Sequence, residues 1–185
     1  MTRWDTIHCS PNRPLTTGHR LAAETEIERA GPEDFEAVAA LWTEAYVDLG
    51  DGSRTVPYRG QEAEDSARDG TLLVARQGLQ IAAAVAIYLP GDPGGAVRSD
   101  DEAEISRLAV AASARRQGIA RGLIAHCQEL AEASPAEAIV LWSRPKQIEA
   151  HRLYESLGYR RAPERENVDC FTEGRVIYEL PLRPR

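Results

Sequence analysis

Two groups of residues in this sequence could do chemistry. The first is a concentration of charge within EISRLAVAASARRQGIARGLI (104–124), where Arg115, Arg116, Gln117 and Gly118 separate a strand-like half from a helix-like half. A helix N-terminus presents unpaired amides and about half a positive charge, so it attracts anions. Gly118 lets the chain turn tightly and lets a bulky group approach, and Arg115, Arg116 and Arg121 add fixed positive charge around the same point. That is phosphate-binding chemistry. Neither a G-x-x-x-x-G-K-[ST] loop nor a G-x-G-x-x-G fingerprint occurs, which excludes two common phosphate cradles. The second group comprises ionisable side chains near this stretch: Glu104, His126, Cys127, His151 and Tyr154. His126 and Cys127 have no sequence partner for a nucleophilic dyad, and His151 reads as a helix-surface residue. The scattered histidines and three cysteines (Cys9, Cys127, Cys170) lack metal-ligand spacing, so no metal is expected.

The elements that must position these groups follow from hydrophobic period. TEIERA (25–30) alternates as a strand. GPEDFEAVAALWTEAYVDLG reads as a helix, with Phe35, Val38, Ala39, Trp42, Tyr46 and Leu49 on one stripe and Pro32, Glu33 and Asp34 at its start. A polar helix is expected at 58–70, a hairpin around RQG within 71–89, a Gly/Pro/Asp-rich loop at 90–101 and a strand over 103–110. Alternation would put Glu104 on the same strand face as Ser106, Leu108 and Val110. After Gly118, a helix carries Ile119, Leu123, Ile124, Cys127, Leu130 and Ala131 on one side. AIVLWS (138–143) reads as a buried strand, and KQIEAHRLYESLGY as a helix closed by Gly158. NVDCFTEGRVIYELPL supplies a last pair of strands around EG. The order β-α-α-β-β-β-α-β-α-β-β predicts a single α/β domain of the α+β type, over 23–185. Its mixed, mostly antiparallel sheet would be flanked by helices, behind a polar and flexible tail at 1–22.

Composition narrows the function. The chain has 185 residues, 43% of them hydrophobic, enough for one full core. No apolar run approaches the ~18 residues of a bilayer span, the start lacks a secretory signal, and the cysteine pattern suggests a reduced, cytoplasmic protein. A net charge of −7 argues against a nucleic-acid partner. The charge is unevenly distributed: residues 24–104 hold 18 acids and 6 bases, and residues 105–185 hold 10 acids and 13 bases. Halves of opposite sign suggest two kinds of partner.

Arg115-Arg116-Gln117-Gly118-Ile119-Ala120 fits the (Q/R)-x-x-G-x-(G/A) pattern, and the chain resembles the GNAT superfamily of acetyltransferases. The resemblance takes in the strand AEISRLAV, the strand IVLWS and the helix QIEAHRLYESLGY, roughly residues 103–161. It implies acetyl-CoA as co-substrate, its pyrophosphate wrapped by the loop from Arg116 to Arg121 beside Arg115, and its pantetheine arm paired with backbone near Leu108 and Val110. It further implies a primary amine as acceptor. With no nucleophilic dyad in the sequence, direct transfer in a ternary complex is expected, by a monomer or homodimer, and charge and hydropathy leave no membrane or nucleic-acid partner expected. Acyl transfer needs a base for the amine, a donor for the oxyanion and a proton for the thiolate. By resemblance these are Glu104, the Leu108 backbone amide and Tyr154. Gln147 stands where the family usually has Asn, a departure that touches the pantetheine contact. A cationic acceptor is expected from Glu44, Asp48, Glu62, Glu64, Asp65, Asp92, Asp100 and Asp101, placed by this architecture around the amine site. The rival reading is a non-catalytic acyl-CoA-binding regulatory module, which Glu104 and Tyr154 disfavour.

Overall fold

The computed structural model describes residues 25–47, 55–166 and 174–183. The expected tail, Asp48, Leu49, Cys9 and Cys170 lie outside the described residues. The elements in chain order are β1 (Thr25–Arg29), α1 (Phe35–Tyr46), α2 (Gly60–Arg68), β2 (Thr71–Gln77), β3 (Gln80–Tyr88), β4 (Glu102–Val110), α3 (Ile119–Glu132), β5 (Ala138–Ser143), α4 (Ile148–Ser156), β6 (Arg160–Arg161) and β7 (Val176–Pro181). They form one seven-stranded sheet in the order β1-β2-β3-β4-β5-β7-β6. Its pairings are antiparallel except for β4 with β5. The mixed sheet flanked by helices matches the order read from the sequence.

Each face of the sheet has its own core. On one side Ile119, Leu123, Ile124 and Cys127 of α3, with Tyr154 of α4, pack on Leu73, Val85, Ile87, Ile105 and Leu141. On the other, Val38 and Trp42 of α1 and Ala63 of α2 pack on Leu72, Val74, Ala84 and Ala86. The small alanines of β3 leave room for the fully buried indole of Trp42. Most of the α1 stripe is therefore core, as the period implied.

Two boundaries differ from the sequence reading. The hairpin turns at Gly78–Leu79, one step beyond the expected RQG centre, because the pair Gln77↔Gln80 closes it and Gly78 takes φ 59°. The sixth strand is the short Arg160–Arg161 after α4, paired with β7. NVDCF, expected as a strand, lies outside the described residues apart from its flanks.

The alternation along β4 also fails, and the cause is local. Ala103 and Ile105 face the α3 core, and so do Leu108 and Val110, whereas Ala109 faces α1. The parity changes at Arg107, whose backbone has φ 54°, and the β3 register slips between Ala84 and Ala86. This is a β-bulge, which inserts one residue and re-aims those beyond it. Glu104 pairs across the sheet with Tyr88, a residue of the α1 core. It therefore lies on the opposite face from Leu108 and Val110, contrary to simple alternation.

Candidate active site

The site begins where two parallel strands part. β4 and β5 pair only from Glu102↔Ala138 to Ile105↔Leu141, although β4 continues to Val110. Beyond that point β4 offers its β5-facing backbone to whatever enters the gap. The gap opens as a cleft of about 1120 Å³, bounded by β4 from Ile105 to Val110, by Trp142 and Arg144 after the split, by α4, and by Tyr46 and Tyr58. Leu108, Val110, Arg115, Ala120, Gln147 and Tyr154, all named from the sequence, line it. The cleft exceeds the usual span of small-ligand pockets, roughly 300–1,000 Å³, which leaves room for two substrates.

One end is built from backbone. Gly118 caps α3 with φ 82°, and Arg116 also has positive φ at 61°. A β-carbon added at Gly118 would meet no protein atom within 4 Å. The glycine is thus required by the left-handed turn, and the space in front of it is open. Ile119 is buried in the α3 core and anchors the turn. Arg115 reaches back to the Val110 carbonyl (Nε to O, 3.3 Å) and lines the cleft. Gln117 bonds to Gln77 and to the Ser113 carbonyl, and Arg121 to Ser156 Oγ at 2.8 Å. These two side chains brace the loop and do not line the cleft, so the loop contributes amides more than side chains.

The middle holds the acid–base candidates. Tyr154 is 7% exposed, and its hydroxyl has no hydrogen-bond partner among the described residues. Burial, helped by Tyr178, pushes the phenol up to about 12, so it remains a proton donor at neutral pH. Glu104 is fully buried, and its Oε2 accepts from the amides of Ala96 (2.6 Å) and Val97 (2.8 Å). Oε1 is buried without a partner. The carboxylate does not line the cleft; it holds the 90–101 loop, where Arg165 grips the Val97 carbonyl at 2.9 Å from the other side. Gln147 directs its Oε1 to the Arg144 amide (2.9 Å) and to Ser143 Oγ (3.1 Å), closing the turn into α4. His151, which showed no partner in the sequence, bonds through Nε2 to the Arg144 carbonyl at 3.0 Å. Cys127 is buried in the α3 core, where burial raises its thiol well above the ordinary range and keeps it inert.

The third part was not legible in the sequence. Tyr46 donates its hydroxyl to the Leu108 carbonyl, and Trp42 Nε1 donates to the Arg107 carbonyl at 3.0 Å. α1 thus grips the bulge through two backbone acceptors. Tyr58 packs edge-on against both Trp42 (5.7 Å between centroids) and Tyr46 (6.4 Å). Burial drives the Tyr46 hydroxyl far above the ordinary tyrosine range, and Tyr154, Arg107 and Arg144 are all near enough to act on it electrostatically. The only available signal for Tyr46 was its place at the far end of the α1 stripe.

The acids expected around the amine are elsewhere. Among the described residues, none of Glu44, Glu62, Glu64, Asp65, Asp92, Asp100 and Asp101 lines the cleft. Asp65 pairs with Arg68 at 2.7 Å, Glu62 caps α2 through the Arg59 amide, and Asp92 accepts from the Leu89 amide. Glu44, Glu64, Asp100 and Asp101 are exposed. The charged lining is instead Arg107, Arg115, Arg144 and Lys146 against Glu149, which itself pairs with Arg152. Charge summed along a chain segment did not predict charge in the cleft, because those carboxylates serve caps, turns and solvent. Among the described residues no His/Cys/Asp/Glu cluster could hold a metal, and no helix is long and apolar enough to cross a membrane.

Residues 35–159 match the model of the acetyltransferase (GNAT) family. The chain belongs to that family. The [ribosomal protein bS18]-alanine N-acetyltransferase of Escherichia coli K12 is 35% identical over 85 residues, which are 44% of this chain and 57% of that protein. The N-acetylaspartate synthetase of Danio rerio is 38% identical over 68 residues, 37% of this chain and 24% of that protein. The chain thus matches about half the length of the first of these relatives and a quarter of the second. A solved structure of yncA from Salmonella typhimurium with its cofactor acetyl-CoA shares the fold, with a TM-score of 0.69 and 16% identity over 87% of this chain and 95% of that one.

Proposed function

We propose that this GNAT chain transfers the acetyl group of acetyl-CoA to a primary amine by direct attack in a ternary complex. The observation that carries the reading is the parting of β4 from β5 beside the α3 N-terminus, with the Tyr154 hydroxyl unpartnered in the cleft between them. The residues fit the cofactor. The α3 amides after Gly118, with Arg115 and Arg116, would hold the pyrophosphate. The backbone of Leu108 and Val110 would pair with the pantetheine arm, with Gln147 alongside. Bound there, acetyl-CoA supplies a thioester activated toward an amine.

The chain's own groups divide the remaining work. The Leu108 amide donates to oxygen charge developing at the carbonyl, and the Tyr46 bond to the Leu108 carbonyl orients that strand segment. Tyr154 gives a proton to the departing sulfur. Glu104 acts as base through water, since its carboxylate stands behind the cleft wall and its open Oε1 is the acceptor a water would use. A regulatory module that only binds acyl-CoA would not need a buried, raised-pKa tyrosine in the cleft. Free-thiol release from acetyl-CoA across a panel of amines tests the reading, and no release above the amine-free rate with any amine would refute it.

A further inference from the structure

The charge lining the cleft is opposite in sign to the one expected from segment charge. Arg107 sits at the bulge, next to the Leu108 amide, with its guanidinium half-buried in the cleft wall. It is a built group. Its Nη1 bonds Ser66 Oγ, its Cζ stacks 5.1 Å from the Trp42 ring centroid, and its own carbonyl is held by Trp42 Nε1. Its backbone is in the left-handed region, which a non-glycine residue adopts at a cost and which here aims the side chain toward α1 and α2. No carboxylate among the described residues pairs with it. Asp65 acts on it electrostatically from α2 but is itself paired with Arg68, so the guanidinium has no direct ion pair and an anion entering the cleft would be stabilised there. Arg144 stands in the same cleft, and the lining contains no acid besides Glu149.

Resting on the acetyl-transfer reading of this cleft, we infer that the acceptor is an amine that itself bears a carboxylate, of the amino-acid class, and that Arg107 receives that carboxylate. The adjacency of Arg107 to Leu108 suits an acceptor whose anion and amine are a few bonds apart. In the reaction the N–C bond forms as the thioester C–S bond breaks; the amine loses a proton and the departing sulfur gains one. A guanidinium can bind a carboxylate through two parallel hydrogen bonds, which discriminates the free acid from its amide. Polyamines and aminoglycosides would bring positive charge against Arg107 and Arg144 and are poor fits.

The test begins with calorimetry of acetyl-CoA on the wild-type chain, which separates this inference from the reading beneath it. Initial rates are then compared for L-aspartate, L-glutamate, glycine and L-leucine, their C-terminal amides, spermidine and an aminoglycoside. Free acids should exceed their amides in kcat/KM by roughly tenfold or more, the scale of one charge-assisted contact. Arg107→Gln should raise KM for the acids by a similar factor, change KM for the amides far less, and leave the acetyl-CoA Kd in place; Arg107→Lys should fall between. Amides or polyamines used as well as free acids overturn the inference, and the wild-type panel decides this even if the variant folds poorly. An equal effect of Arg107→Gln on acids and amides would make Arg107 structural. If acetyl-CoA fails to bind, the proposed function falls and this inference falls with it.

Discussion

The two ends of the cleft are built on different principles. Around Gly118 the groups offered to a ligand are backbone amides of one continuous loop, with side chains such as Gln117 and Arg121 turned away to brace it. Around Arg107 they are side chains from distant elements: Tyr46 of α1, Tyr58, and Arg144 after β5. A backbone site depends on local conformation and tolerates most side chains. A side-chain site depends on how layers pack, and single substitutions should change it selectively.

That contrast can be broken or sharpened by substitution, beginning between the two ends. Tyr154→Phe keeps the ring packed against Tyr159 and Tyr178 but removes the hydroxyl. Turnover should fall by ~10²-fold or more with acetyl-CoA affinity unchanged, the usual scale of general acid catalysis. Because burial raises this phenol to about 12, its donating form persists as pH rises from neutrality. The wild-type rate should therefore show no alkaline loss from Tyr154 below about pH 10, the ordinary tyrosine range. A falling limb there that Tyr154→Phe abolishes would keep Tyr154 as the acid and show that its phenol is not raised.

Glu104→Gln separates brace from base. The amide oxygen can still accept from Ala96 and Val97, so the loop should hold and the melting temperature should move little. If the carboxylate relays the amine's proton, kcat should drop by ~10-fold to 10²-fold. Unchanged kcat would leave Glu104 with the structural task alone.

Gly118→Val probes the backbone end. A β-branched residue opposes φ 82° and places methyl groups in the open space before α3. Acetyl-CoA binding should weaken at least tenfold, about 1.4 kcal/mol, while circular dichroism remains native. Equal affinity by calorimetry would remove the loop from the cofactor site. The smallest effect is expected at Tyr46→Phe, which frees the Leu108 carbonyl from its donor. Urea denaturation should show a loss of about 1 kcal/mol, the net value of one hydrogen bond, with kcat lowered a few-fold. A change in acetyl-CoA Kd larger than the change in kcat would mean that Tyr46 serves the cofactor end instead.

The backbone end was readable in the sequence because its determinants are contiguous. Gly118 at a positive φ, the arginines before it and the apolar period of α3 are all local properties. Tyr154 was readable for the same reason, through its spacing to Gly158 and Tyr159 along α4 and the turn after it. The order of strands and helices up to α4 also followed from period and punctuation, whereas the sixth strand, Arg160–Arg161, did not.

The face on which Glu104 lies was misread, since one bulge at Arg107 inverts a period-two pattern and leaves no mark in hydrophobicity. The acids of α1, α2 and the 90–101 loop were misread because local pairing, as for Asp65 with Arg68, competes with any cleft for a carboxylate. Local conformation is encoded by neighbours in the chain, so it was open to inspection from one end of the sequence to the other. Which side chains meet across the cleft, Arg107 on Trp42 and Tyr46 on Leu108, depends on how α1 lies over the sheet. That is set by packing between residues more than sixty positions apart, as the Trp42–Arg107 and Tyr46–Leu108 bonds show, and only the folded chain brings them together.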